Sequence, residues 1–415
     1  MNTLLAFSAL REGAGRAAPR RGGFGLLLGA LLTAAAPLPA APFLPTDPNQ
    51  VLERLPLAAA DAQTQELREL RRQLADRPDD LELTLRFARR NLEIGRAEAD
   101  PRYYGYAQAA LAPWWDRVPP PPETLLLRAV LRQNRHDFDG ALADLRQVLA
   151  ARPRHAQAWL TQAVIQQVRG EPATALRACL ALRRLTDTLL FNACLSGALS
   201  RAGQAGFAQA NLERALEARP ETPDEDEARS WALTVLAEIA EQIGDALAAE
   251  RHYREALALG RRNVYLLGAW ADFLLDRNRP AEVRELLRNE QRADGLLLRL
   301  ALAERRLDDL AWISHTELLE ARFAAARQRG DHTHIAAEAR LRLDLRRQPQ
   351  AALALAQRNW AQWQREPRDA RLLLEAALAA GQPEAAREVL DWLERTKLED
   401  ERLADLGRRL RETKS

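Results

Sequence analysis

Apolar residues recur along most of the chain at the three- and four-residue spacing of an amphipathic helix, and alternation of period two is scarce. The clearest unit is residues 157–187. Trp159 begins a helix, Ala163 follows four residues later, and Gly170 ends the helix; Ala175 then lies at helical spacing on a second helix. This pattern predicts two antiparallel helices joined by a short turn, and it argues against a sheet.

The small residues of this helix pair recur at nearly constant steps. Ala129 and Ala163, on first helices, are 34 residues apart. On second helices the steps are 34, 33, 41 and 34 residues, from Ala141 through Ala175, Ala208 and Ala249 to Val283. The step of 41 contains an acidic insert of seven residues, 221–227, so the register continues. Only small side chains fit where two helices cross closely, so the period predicts a stack of helix hairpins.

This pattern resembles that of the tetratricopeptide repeat (TPR) family, whose period is 34 residues. The resemblance is strong over residues 122–292 and weaker over 81–115, and it frays after Gly295. It implies an all-α fold: an α-solenoid of about nine antiparallel helix hairpins, a TPR-like superhelix. A polar helix at 399–411 predicts a C-terminal cap. Residues 106–115 and 359–380 are also similar to a group of exported tetratricopeptide proteins of proteobacteria.

The N-terminal region has the layout of a secretory signal peptide. Arg16, Arg20 and Arg21 precede an uncharged stretch, 22–44, whose apolar core is 24–36; two prolines and two alanines follow that core. Three possibilities remain open: a cleaved signal, an uncleaved membrane anchor, or neither. The anchor is one of them because the stretch, counted on through the prolines, comes near the length of about 20 residues that a membrane span needs.

We therefore expect four segments. They are a signal peptide or membrane anchor (1–41), a Pro/Ala-rich linker (42–60), an N-terminal TPR-like array (61–292) and a degenerate TPR-like array with a capping helix (293–415). The expected location is periplasmic or exported, either free or anchored to the inner membrane through residues 24–44.

Charge is almost balanced, with 60 basic and 58 acidic residues and a net charge of +2. All the basic residues except Lys397 and Lys414 are arginines, and they are interleaved with Asp and Glu along the predicted helices. Nucleic-acid binders usually carry a surplus of positive charge on one face. We expect no nucleic-acid partner, and membrane contact only through the N-terminal segment.

No constellation for catalysis is visible. The chain lacks H-E-x-x-H, G-x-S-x-G and the phosphate- and dinucleotide-binding glycine loops. His332 and His334 lie close to Asp331, but no third metal ligand is evident. Cys179 and Cys194 form no C-x-x-C motif; they fit either a disulfide between adjacent helices or two buried thiols, and we favour the thiols. The sequence predicts no enzyme activity, no cofactor and no metal.

A solenoid of helix pairs curves, and its first helices line the concave side. Projection of the first-helix faces gives a candidate partner-binding groove, apolar with amides in the early repeats and acidic with two aromatics in the middle repeats. Its residues are Gln133, Gln157, Leu160, Val164, Gln167, Trp231, Glu238, Glu241, Tyr265, Asp272 and Asp276. Such a groove suits a helix or extended segment with apolar anchors and some Arg or Lys. The alternative is that these residues form a solvated helix face.

The leading hypothesis is an exported TPR scaffold or adaptor that binds a protein or peptide partner in this groove. Positions that grip a C-terminal carboxylate in the family here carry apolar residues, Leu126, Val130, Leu160 and Val164, so that binding mode is not implied. One alternative is a cytoplasmic regulatory TPR protein. Another is a cell-envelope enzyme or enzyme subunit with a site within residues 295–366.

Overall fold

The computed structural model describes residues 62–218, 226–260, 263–362 and 364–412. The predicted signal segment, the predicted linker and most of the acidic insert lie outside the described residues. Within these ranges every regular element is a helix. The helices are α1 (Ala62–Asp76), α2 (Leu81–Ala97), α3 (Pro101–Trp115), α4 (Pro122–Asn134), α5 (Phe138–Ala151), α6 (Ala156–Val168), α7 (Pro172–Ala181), α8 (Thr188–Ser200), α9 (Ala205–Glu217), α10 (Asp226–Gln242), α11 (Ala246–Ala258), α12 (Val264–Asp276), α13 (Pro280–Leu287), α14 (Asp294–Arg306), α15 (Ala311–Gln328), α16 (Ile335–Arg340), α17 (Pro349–Ala361), α18 (Pro367–Ala379), α19 (Arg387–Thr396) and α20 (Glu401–Glu412).

The helices pack in sequence-adjacent pairs. From α2/α3 to α18/α19 the described ranges contain nine hairpins, with α1 in front of them and α20 packed on α18 at the end. Each first helix also contacts the first helix of the next hairpin, as α6 contacts α8 and α8 contacts α10. The predicted all-α solenoid of about nine hairpins with a C-terminal capping helix is confirmed.

The small residues of the repeat lie at the helix crossings. Ala129, Ala163, Ala141, Ala175 and Ala249 are all fully buried, as the repeat predicts. A larger side chain at such a crossing would force the two helices apart, so the small residue fixes how closely each pair packs. Leucines and aromatic residues fill the layers between hairpins.

Local sequence sets where the helices begin and end. Asp137, Asp187 and Asp245 cap α5, α8 and α11, each accepting a hydrogen bond from the backbone N–H three residues later. Gly170 and Gly203 end first helices with φ of 70° and 73°, a backbone conformation that side chains with a Cβ resist. The turn predicted from Gly170 is present, and Gly203 marks the corresponding turn of the next hairpin.

Hairpins continue through the segment where the repeat pattern frays. The long helix in this segment is α15, of 18 residues, which a short turn separates from α14. A π-helical segment, Leu341–Leu345, follows α16. The largest apolar core runs from Leu160 to Leu345 and so continues across residues 292 and 293, whereas a second core runs from Ala339 to Leu410.

Cys179 on α7 and Cys194 on α8 form a disulfide, with 5.6 Å between their Cα atoms. Our preference for two buried thiols was wrong. The second helix of one hairpin packs directly on the first helix of the next, which brings the two Cα atoms within the usual bonding distance.

Among the described helices, none combines the length and apolar character needed to span a bilayer. The only segment for which we predicted a membrane role, residues 24–44, lies outside the described residues.

The last helices fold back on the middle of the array. We call residues 335–412, comprising α16 to α20, the C-terminal unit. Its residues Arg365, Trp392 and Lys397 lie against the turns that join α6 to α7 and α8 to α9. The solenoid is thereby closed on itself, and a central cavity lies between its middle hairpins and the C-terminal unit.

Candidate functional site: the central cavity

The central cavity has a volume of about 1350 Å³. First helices of the hairpins supply most of its wall, and α18 and α20 of the C-terminal unit supply the facing side. Among the described residues, twelve arginines and twelve Asp or Glu residues line it. The cavity is therefore highly charged but balanced.

Helical spacing builds an acidic wall from α10 and α12. Glu238 and Glu241 lie one turn apart on α10, and Asp272 and Asp276 lie one turn apart on α12. Since residues three or four apart share one face of a helix, all four carboxylates face the cavity, and Tyr265 on α12 joins them.

Two tyrosines hold the carboxylates of α10. The Tyr265 hydroxyl donates a hydrogen bond to Glu238, and the Tyr253 hydroxyl donates one to Glu241 at 2.5 Å. Burial raises the pKa of Glu238 above its usual value and raises the pKa of Glu241 to about 7. Burial also raises the pKa of both tyrosines well above the ordinary range, so they remain hydrogen-bond donors.

Arginines of the C-terminal unit contact this acidic wall. Arg371 on α18 contacts Asp276 with two nitrogens, at 2.6 and 2.7 Å. Arg402 on α20 contacts Asp276 at 2.5 Å and Glu241 at 3.1 Å. Burial would raise the pKa of Asp276, but the hydrogen bonds and charges of Arg371 and Arg402 outweigh it and hold that pKa below its usual value.

A second polar cluster surrounds the start of α18. The Glu366 carboxylate is buried and contacts Arg368 and, at 3.5 Å, Arg201 at the end of α8. Gln364 lies 2.8 Å from Nδ1 of His136 in the turn between α4 and α5. Burial lowers the pKa of His136 to about 3, so its ring is neutral and accepts this bond.

Beyond the acidic wall, α14 and α15 contribute further ion pairs. Arg299 on α14 forms a two-nitrogen contact with Asp272, one of them at 2.7 Å, and Arg322 on α15 contacts Asp294 at 2.8 Å. The Arg299–Asp272 pair joins successive hairpins, and the Arg322–Asp294 pair joins the two helices of one hairpin. Both pairs orient the wall and leave charged atoms at the cavity surface.

The predicted groove residues divide into two groups. Five of them line the cavity: Glu238, Glu241, Tyr265, Asp272 and Asp276. The other six are buried between helices and do not line it: Gln133, Gln157, Leu160, Val164, Gln167 and Trp231. In the early repeats the projected face packs against the neighbouring first helices, as where Gln167 accepts a hydrogen bond from Arg201 at 3.2 Å. Partner binding by any of the eleven remains a prediction.

Comparison with known proteins yields no matching family model, and no curated protein matches. Solved structures with a similar arrangement include the APC/C hetero-tetramer Cut9–Hcn1, at 14% identity and a TM-score of 0.39. That match covers 84% of this chain, which spans about half (52%) of the length of the matched chain.

Two further structures are similar in the same range. A human IFIT1 dimer with m7Gppp-AAAA matches at 13% identity and a TM-score of 0.42, over 80% of this chain and 86% of the other. The P58(IPK) TPR domain matches at 14% identity and a TM-score of 0.23, over 70% and 98%. These scores are too low to support an argument, so the tetratricopeptide-type fold rests on this chain's own hairpins.

The arginines that complete the site carried no signal in the sequence. Arg371 and Arg402 are separated from Asp276 by 95 and 126 residues, and the repeat period relates only neighbouring hairpins. The described residues include no group of three or more His, Cys, Asp or Glu side chains arranged to hold a metal ion. His332 instead contacts Arg358 at 3.0 Å.

Proposed function

We propose that the protein is an exported interaction scaffold that holds a polypeptide segment of a partner in its central cavity. The observation that carries the proposal is the cavity itself, with its volume of about 1350 Å³ and equal numbers of arginines and carboxylates among the described lining residues. A cavity of mixed charge suits a peptide, whose backbone and side chains present donors and acceptors together.

The balance of charge favours a polypeptide over a nucleic acid. Each phosphate that a protein neutralises needs an arginine or lysine that no carboxylate already satisfies. Here Asp272 and Asp294 neutralise Arg299 and Arg322, and Asp276 faces Arg371 and Arg402. The cavity therefore offers no surplus of positive charge along its wall.

Export is supported by two independent features. The residues 1–41 have the signal-peptide layout described above. The disulfide between Cys179 and Cys194 belongs to the chemistry of oxidising compartments, since thiols in the cytoplasm are kept reduced. Together they favour the exported scaffold over a cytoplasmic regulatory protein.

Fusion of residues 1–60 to a reporter that is active only outside the cytoplasm tests export. We expect an active reporter, and replacement of the three arginines 16, 20 and 21 by glutamate should reduce its activity because orientation depends on basic residues before the apolar run. An inactive reporter in a host of matching secretion machinery would contradict the export proposal and favour the cytoplasmic alternative.

Two glycine substitutions test binding in the cavity. Gly105 on α3 lines the cavity and Gly206 on α9 does not; both lie inside helices, and a Cβ added at either meets no atom within 4 Å. Gly105→Trp narrows the cavity, whereas Gly206→Trp is the matched control on the outside of the array. We expect the wild type and Gly206→Trp to capture a partner from an envelope extract. Gly105→Trp should fail to capture it. Equal capture by the two variants would contradict binding in the cavity.

A further inference from the structure

We infer that the C-terminal unit is a reversible clasp, which closes the solenoid over the central cavity through polar contacts and moves away to admit a ligand. This inference deepens the proposed function. Only the identity of the ligand that enters the cavity rests on the proposed function. The clasp itself rests on contacts between the C-terminal unit and three successive hairpin turns.

The turns of α6/α7, α8/α9 and α10/α11 each carry a glycine with positive φ, at Gly170, Gly203 and Gly244. The C-terminal unit occupies the space where a Cβ of each glycine would stand. The atoms there are Cβ of Arg365 at 2.8 Å, the backbone oxygen of Lys397 at 2.4 Å and the carboxylate of Glu401 at 2.1 Å. The C-terminal unit thus packs on the turn glycine of three consecutive repeats with one continuous surface.

Hydrogen bonds cross this junction at two of the three turns, α6/α7 and α8/α9. The Arg365 backbone N–H donates to the Val168 carbonyl at 2.8 Å, and Nε1 of Trp392 donates to the Gly170 carbonyl at 3.2 Å. The Ala205 backbone N–H, at the start of α9, donates to the Glu399 carboxylate at 2.9 Å. These bonds satisfy backbone groups at helix ends, where water can replace the C-terminal unit as partner.

The inner side of the junction is charged. Arg371 and Arg402 reach Asp276, and Arg402 also reaches Glu241. The side chains of Arg402 and Arg371 are 38% and 27% exposed, so these pairs are in contact with the water of the cavity. Partly exposed pairs of this kind hold the junction less firmly than fully buried pairs do. The pair of Arg201 with Glu366, which also crosses the junction, is buried.

Apolar packing, in contrast, is internal to each side, apart from Leu341 and Leu345 of the π-helical segment, which belong to the main core. The C-terminal unit has its own core, which includes Trp360, Leu374 and Trp392, and the middle hairpins have another. The junction between the two is polar, like an interface between domains that move relative to each other. The π-helical segment Leu341–Leu345 lies at the border of the two cores, and Arg347, with φ of 52°, follows it. This irregular backbone is the point about which α17 to α20 of the unit can rotate.

Two variants of the full-length chain open the clasp by different routes. Arg402→Ala removes the guanidinium that joins Asp276 and Glu241, and its control is Arg408→Ala, an exposed arginine paired with Asp405 on the same helix. Gly203→Ala places a Cβ against the Lys397 backbone. Its control is Gly260→Ala, where φ is also positive, at 69°, but a Cβ meets no atom within 4 Å.

Hydrogen exchange and small-angle X-ray scattering are the measurements. We expect both clasp variants to accelerate exchange of the Arg365 and Ala205 amides about tenfold and to increase the radius of gyration, with both controls at the wild-type values. Amides inside α18 and α20 should keep their protection, because the C-terminal unit moves as a folded body. Unchanged exchange in both variants would overturn the clasp, and so would equal loss of protection inside α18 and α20, which would mean unfolding of the unit.

Partner capture is measured separately on the same variants. If the proposed function holds, the open variants capture more partner than the wild type. If no variant captures any, the proposed function fails, while the exchange and scattering data still decide whether the clasp exists.

Discussion

Individual charged residues in the cavity have their protonation set by burial. Glu241 is the clearest case, since burial raises its pKa to about 7 although Arg402 and the Tyr253 hydroxyl both favour the carboxylate. Asp276 and Glu238 lie close by and oppose ionisation of Glu241. The folded state therefore binds a proton at Glu241 more tightly than the unfolded state does.

Replacement of Glu241 by Gln should change how stability depends on pH. A carboxyl whose pKa is raised on folding stabilises the fold below its unfolded pKa, near 4.5, and loses that contribution as pH rises through about 7. A shift of this size corresponds to about 3 kcal/mol at 1.36 kcal/mol per unit. We expect Glu241→Gln to lose less free energy of unfolding than the wild type between pH 5 and pH 8, measured by urea denaturation at a series of pH values.

Glu285→Gln serves as the control, because that carboxylate lies on α13, is 69% exposed and pairs only with a neighbouring arginine. It should retain the wild-type pH dependence. If the free energy of unfolding of Glu241→Gln depends on pH as closely like the wild type as this control does, burial does not raise the pKa of Glu241.

At the scale of helices, the disulfide fixes how one hairpin stacks on the next. It joins α7 to α8 across a sequence separation of 15 residues, and both cysteines are fully buried in the main core. The Cys179→Ala/Cys194→Ala double variant should lower the free energy of unfolding by about 3 kcal/mol, the value expected for closing a loop of this length. Thermal and chemical denaturation measure the effect.

The companion sample is wild-type protein that has been reduced under denaturing conditions and refolded with its thiols blocked against oxidation. Its free energy of unfolding should fall by a similar amount. Equal stability of the oxidised wild type and the double variant would show that packing alone fixes α7 against α8.

For the whole molecule, the separation of the C-terminal core from the main core predicts local rather than uniform opening. Leu374 on α18 is fully buried in the core of the C-terminal unit. Leu374→Ala should cost about 2–5 kcal/mol, as is usual for truncation of a buried leucine. Hydrogen exchange should accelerate in α17, α18 and α20, while amides in α8 to α11 keep their protection.

The matched substitution is Leu236→Ala, in the main core on α10, which should accelerate exchange in α8 to α11 instead. Uniform acceleration over both cores by either variant would mean that the chain opens as one cooperative body and would argue against a movable C-terminal unit.

The fold class and the hairpin register follow from the amino-acid sequence alone. Local signals suffice for this, because alanines such as Ala163 and Ala175 mark each crossing, Gly170 and Gly203 mark the turns, and each hairpin packs mainly on its neighbours. It also identified the acidic wall, Glu238 to Asp276, since helical spacing alone puts those carboxylates on one side.

Which residues face that wall, and which projected residues remain accessible, depends on the packing of distant hairpins. The total curvature of the solenoid depends on small rotations added over many hairpins, and no local pattern encodes their sum. That sum brings Arg371 and Arg402 to Asp276 across about a hundred residues, and it places the C-terminal unit on the turns of the middle hairpins. Leu160 and Val164, which the projection put in an open groove, are buried between helices for the same reason.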